Sequence, residues 1–85
     1  METFTARLIT PEQIVFENEV ESVILRTEDG DSTYLAGHSP LVGAVVPGEV
    51  RFVGSNGDTK AVQVEAGFVY VKGDVTVLVP KAVEQ

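Results

Sequence analysis

The sequence has 85 residues, which sets the expectation of a single domain, residues 1–85, with a modest core. Acidic residues number 13 against 6 basic ones, and the net charge of −7 opposes binding to nucleic acid or anionic lipid, since both need Lys and Arg in place of counterions. There is no cysteine, which excludes disulfide frameworks, thiolate zinc sites and cysteine nucleophiles, and no apolar run approaches the roughly 20 residues of a membrane-spanning helix.

Valine occurs 16 times, and β-branched residues suit a pleated, half-buried surface. The opening Met-Glu-Thr-Phe-Thr has neither the basic region nor the apolar core of a signal peptide, so the chain is expected to stay where it is made. From Phe4 to Leu8 the residues alternate, with Phe4, Ala6 and Leu8 pointing one way and Thr5 and Arg7 the other, which is the period of a strand. Thr10-Pro11-Glu12 starts a turn. Glu17, Glu19 and Glu21 alternate next; on one strand they would share a face and repel one another, so they are expected to be exposed or matched by a basic partner.

Glu28-Asp29-Gly30-Asp31 and Pro47-Gly48 have turn chemistry. Ser55-Asn56-Gly57-Asp58 contains Asn-Gly, the strongest short hairpin signal, between Val50–Val53 and Lys60–Val64. Val62, Val64 and Ala66 are expected to face inward and Gln63 and Glu65 outward. Gly67, inside a strand-like stretch, marks a bulge or a close backbone approach. Lys72-Gly73-Asp74 separates two more strands, the second with Val75, Val77 and Val79 on one face. No window of ten or more residues has capped helical periodicity, and Lys81–Gln85 is too short for a stable helix. Short strands between frequent turn signals predict an all-β sandwich or barrel.

Chemistry-bearing residues are sparse. His38 is the only histidine, and its neighbours Gly37, Ser39 and Pro40 place it in a loop, where partner contacts concentrate. One histidine cannot build a multi-histidine metal site, and no serine–histidine–carboxylate spacing is legible. Glu28, Asp29 and Asp31 cluster, but the twelve-residue calcium loop ending in a bidentate glutamate is missing. No glycine-rich segment ends in Gly-Lys-Ser/Thr before a helix, as a phosphate loop would. The residues therefore point to a small acidic binding module with no catalytic, metal or cofactor site. With four Phe, two Tyr and no Trp, a sugar-binding surface is unattractive.

The order of the motifs adds a resemblance. Leu8-Ile9-Thr10-Pro11-Glu12, followed by Val15-Phe16 and Val20-Glu21-Ser22-Val23, is similar to the first strands of the amino-terminal domain of F-type ATP synthase epsilon subunits, the delta subunit of mitochondria. Gly37-His38-Ser39-Pro40-Leu41, with Ala44, Pro47-Gly48 and Val50-Arg51, resembles that family's most diagnostic segment. Gly67-Phe68-Val69-Tyr70-Val71 and Asp74-Val75-Thr76-Val77-Leu78 resemble its final hairpin. One departure is Asp31-Ser32-Thr33-Tyr34-Leu35-Ala36, where the family has a glycine-rich approach and a proline before Gly-His.

The resemblance implies a β-sandwich of two roughly five-stranded sheets and a non-catalytic rotor-stalk role, clamping the gamma shaft to the c-ring so that proton-driven rotation reaches the catalytic head. It implies that Asp31, with Glu28 and Asp29, lies against polar loops of the c-ring. It also implies that His38 and Ser39, and with them Thr10 and Gly43, face gamma. Many family members continue into a pair of helices that inhibits ATP hydrolysis or binds ATP; this sequence stops at Gln85, so neither property is expected of it. Association with the membrane is expected to be peripheral, through the complex, at the cytoplasmic face of a bacterial plasma membrane. The alternative is a stand-alone β-sandwich that binds a protein or a small ligand.

Overall fold

The computed structural model describes residues 2–84. They form ten strands: β1 (Phe4–Ile9), β2 (Ile14–Val20), β3 (Ser22–Thr27), β4 (Gly30–Leu35), β5 (Leu41–Val45), β6 (Gly48–Val53), β7 (Thr59–Val64), β8 (Gly67–Lys72), β9 (Asp74–Leu78) and β10 (Ala82–Glu84). Hydrogen bonds connect them in one path, β10-β7-β6-β3-β5-β8-β9-β1-β2, with β4 on the far side of β3.

The path divides at β3. Its first half pairs with β6, Ile24 lying opposite Arg51, while its last residue, Thr27, pairs with Val45 of β5. The Val46 amide donates to Arg26 O at 3.1 Å and fastens the second branch. Two five-stranded sheets result, as anticipated: sheet I (β10-β7-β6-β3-β4) and sheet II (β5-β8-β9-β1-β2), held together by one forked strand. Among the described residues the β1–β9 pair is parallel and the other pairs are antiparallel.

The core lies between the sheets and follows the period of two. Phe4, Ala6 and Leu8 of β1 are buried, and so are Val62 and Val64 of β7, Val69 and Val71 of β8, and Val75 and Val77 of β9. Each valine, leucine or phenylalanine among them contributes about 1.5–3 kcal/mol on full burial, so this valine-rich interior stands in for larger side chains. Phe16 of sheet II stacks on Phe52 of sheet I with ring centroids 4.1 Å apart and an interplanar angle of 14°. Gly67 is required by a close approach. A Cβ there would stand 2.1 Å from Leu78 O and 2.9 Å from Val79 Cα, as the sequence position of this glycine suggested.

Four local expectations change. Ala66 is exposed, because β7 ends at Val64 and the chain turns before β8. The Asn-Gly hairpin spans five loop residues, Gly54–Asp58, closed by the Gly54 amide on Asp58 O at 2.7 Å. Ala82–Glu84 forms a strand on β7, since its extended backbone finds a free edge there; Gln85 is outside the described residues. Only two of the three glutamates share a strand face, Glu17 and Glu19 of β2, and both are exposed as expected. Glu21 lies between β2 and β3, Glu17 pairs with Arg7 at 2.6 Å, and Glu19 accepts from the hydroxyls of Thr3 and Thr5.

Candidate functional site

The β3–β4 hairpin carries the acidic turn. The Thr27 hydroxyl donates to Gly30 O at 3.0 Å and accepts from the Asp29 amide at 3.3 Å, which holds Glu28 and Asp29 at the tip. Both are exposed, and among the described residues no ion pair engages either one. Asp31 behaves differently. It sits opposite Arg26 and accepts from its Nε at 3.1 Å, on a shallow depression of 310 Å³ shared with Ile24, Glu49 and Arg51.

His38 lies in the β4–β5 loop. Its amide donates to Leu35 O at 3.2 Å, so a backbone turn shapes the loop where the family proline is missing. The ring meets Tyr34 edge-on, centroids 5.0 Å apart, and Nδ1 is 2.7 Å from Ser39 O. A carbonyl oxygen can only accept, so Nδ1 carries the proton and Nε2 is left free to accept from a partner when the ring is neutral.

A groove of 460 Å³ between β4 and β5 brings Glu28, Asp29, His38 and Gly43 together, along with Ser32, Tyr34 and Val42. Ser39 adjoins it through His38. Asp31 and Thr10 are not among the groove residues. Thr10 is buried in the β1–β2 turn, where it exchanges backbone hydrogen bonds with Gln13 at 2.9 and 3.3 Å, and its hydroxyl donates to Gln13 O at 3.3 Å. The seven residues singled out from the sequence thus fall in three places. Among the described residues no group of three or more His, Asp or Glu side chains is placed to hold a metal.

The outer face of sheet II was not singled out from the sequence. Register aligns Ala44, Phe68, Leu78, Ile9 and Ile14 in one row across all five strands. Phe68 is 60% exposed, Ile14 55% and Leu78 46%. The next row, Val42, Tyr70, Thr76, Arg7 and Glu17, starts apolar and ends in an ion pair. Thr10 borders the first row, in a hollow it shares with Ile9, Pro11 and Leu78. The signal was present in Phe68-Val69-Tyr70-Val71, where both alternating sets are apolar; a strand with one wet face normally keeps one set polar.

Arg7 limits this apolar area. Its guanidinium donates to Glu17 on β2 and, at 3.1 Å, to Asp74 on β9. The hydrogen bonds to Glu17 and then Asp74 raise its pKa above the ordinary arginine value.

Comparison with known proteins agrees with this architecture. Residues 3–85 match the family model described as the ATP synthase delta/epsilon chain β-sandwich domain. The chain is 39% identical to the ATP synthase epsilon chain of Ruminococcus albus, over 92% of this chain and 59% of that one. It is 36% identical to that of Bacillus subtilis, over 99% of this chain and 63% of that one. It therefore spans about three-fifths of the length of these curated relatives. In fold it is similar to a chain of the Euglena gracilis mitochondrial ATP synthase OSCP/F1/c-ring assembly, with a TM-score of 0.90 at 24% identity, covering 96% of this chain and 53% of that one. With the family model covering nearly every residue and the same two-sheet fold in place, this chain belongs to the β-sandwich domain family of ATP synthase delta and epsilon chains.

Proposed function

We propose that this domain is a non-catalytic part of the central stalk of an F-type ATP synthase, which joins the gamma subunit to the c-ring so that proton-driven rotation is passed on. The observation that carries this reading is the outer face of sheet II. Phe68, Leu78, Ile14, Val42 and Tyr70 together leave an apolar area exposed on rigid strands, and such areas mark protein contacts. We assign gamma to this face and to the adjoining groove, where His38 offers Nε2 and Gly43 forms part of the wall. Glu28 and Asp29, free of internal ion pairs, are assigned to basic groups on the c-ring loops; Asp31 joins them by giving up Arg26. Ser39 and Thr10 act by shaping the loop and turn beside the contact.

No helix among the described residues is long and apolar enough to cross a membrane. Attachment to a membrane is accordingly assigned to the complex, at the cytoplasmic face in a bacterium, and no nucleic acid or ATP is assigned to this domain.

Calorimetric titration of the domain with purified gamma, then with gamma bound to the c-ring, tests the reading. Saturable one-to-one binding strengthened by the ring is expected. Phe68→Glu should weaken it by about thirtyfold or more, the size of a central contact worth ~2 kcal/mol, with the fold intact by circular dichroism. A folded Phe68→Glu variant that binds as tightly as the parent would remove the apolar face from the proposal. Absence of binding by the folded parent would remove the stalk role.

A further inference from the structure

The side-chain amide of Asn56 is held at both ends by a single residue. The Asp58 amide donates to Asn56 Oδ1 at 3.2 Å, and Asn56 Nδ2 donates to Asp58 Oδ2 at 3.0 Å. The following residue, Gly57, has a φ of +87°, and a Cβ built there would meet nothing within 4 Å. Gly57 itself carries no side chain to hinder approach to its backbone nitrogen. Residues 55–58 are all exposed.

We propose that Asn56 is a self-modification site, at which this loop converts its own asparagine to aspartate and isoaspartate, with Asp58 as the positioning residue. The Gly57 nitrogen attacks Asn56 Cγ, and a Gly57 N–Asn56 Cγ bond forms. The Cγ–Nδ2 bond breaks, and the Gly57 proton leaves with Nδ2 as ammonia. Water then opens the resulting five-membered imide at either carbonyl, giving aspartate or isoaspartate; no oxidant or reductant takes part. The Asp58 amide faces the oxygen on which negative charge develops during the attack, the arrangement that stabilises an oxyanion. The Asp58 carboxylate lies on the departing nitrogen and can carry a proton to it. In the resting loop the Gly57 amide donates to Gly54 O at 3.0 Å, so the reaction begins when this one exposed bond opens, a low-cost local fluctuation.

Asn18 provides an internal contrast. It lies within β2 opposite Ala6, and its Oδ1 accepts from the Glu19 amide at 2.9 Å, so ring closure there would have to disturb a strand pair. At Asn56, isoaspartate adds a methylene to the main chain between the paired residues Val53 and Thr59 and places a second carboxylate beside Asp58. The expected result is a looser β6–β7 hairpin.

The test is incubation of the folded chain at mildly alkaline pH, with peptide mass spectrometry reading amide-to-acid conversion at each asparagine. The same chain unfolded in urea and the Asp58→Ala variant are run in parallel. Conversion at Asn56 with Asn18 intact is expected in the folded chain. Asp58→Ala should be several times slower when folded and equal to the parent in urea, a difference that altered loop stability alone would reverse. A folded chain that keeps Asn56 over the time in which the unfolded chain converts it overturns the proposal. A folded Asp58→Ala variant that converts at the parent rate overturns the positioning role.

Discussion

The two outer faces of the sandwich are built on equal numbers of strands, yet they present different chemistry. Sheet I shows Arg26 with Asp31 and Arg51 with Glu49, charges satisfied within the sheet. Sheet II shows Phe68, Leu78 and Ile14 in register. The internal alternation is the same in both, so the shared core accounts for the fold, and the outward set of side chains distinguishes the faces. The first face also exposes Leu35 and Val83, but these stand on β4 and β10 at opposite edges of the sheet and form no row. The second pays a hydration penalty that contact with another protein would remove.

The contrast can be broken most severely by removing what holds both sheets. Phe52→Ala deletes a fully buried ring and its stack on Phe16, and a loss of about 3–5 kcal/mol is expected in urea denaturation, which would leave both faces disordered together. A loss below about 1 kcal/mol would mean that the interior refills easily.

Gly67→Ala should act on sheet II first. The added methyl collides with backbone atoms of Leu78 and Val79 that cannot rotate away, and a cost of about 1–3 kcal/mol is expected. Amide exchange should rise along β8 and β9 before it rises in β6 and β7. Equal exchange in all four strands would show that the sheets open as one unit.

Arg26→Gln should have the smallest effect. Both partners of the Arg26–Asp31 pair are more than half exposed, so a change of no more than about 1 kcal/mol is expected, vanishing at high salt. A larger, salt-independent loss would make sheet I's ion pairs part of its framework. Arg7 follows a different course with pH. Its folded pKa is raised, so its contribution is complete below the unfolded arginine pKa and fades only as pH rises through the folded value, leaving it unchanged across the neutral range.

Much of the sandwich was readable because burial on one side imposes a period of two. Phe4-Ala6-Leu8 and Val75-Val77-Val79 are buried as their spacing requires. What escaped depended on pairing across the chain. Nothing local tells Ala82–Glu84 that β7 has a free edge, and nothing local tells Glu17 that Arg7 stands opposite. The candidate site divides along the same line. The tip residues Glu28 and Asp29 and the loop residue His38 were legible from turn chemistry. The row through Ala44, Phe68, Leu78, Ile9 and Ile14 is assembled from residues up to 69 positions apart (78 − 9), and only register shows it.

The forked strand has a mechanical consequence. Two sheets joined only by side chains can slide over one another under shear, because dispersion contacts resist separation better than lateral displacement. Here β3 pairs with β6 through Ser22–Ile24 and with β5 at Thr27, so a lateral load on sheet II reaches a strand of sheet I through backbone hydrogen bonds. A twisting force applied to one face thus meets main-chain hydrogen bonds between the layers, at Thr27 with Val45 and at Arg26 with Val46, in addition to the packed side chains.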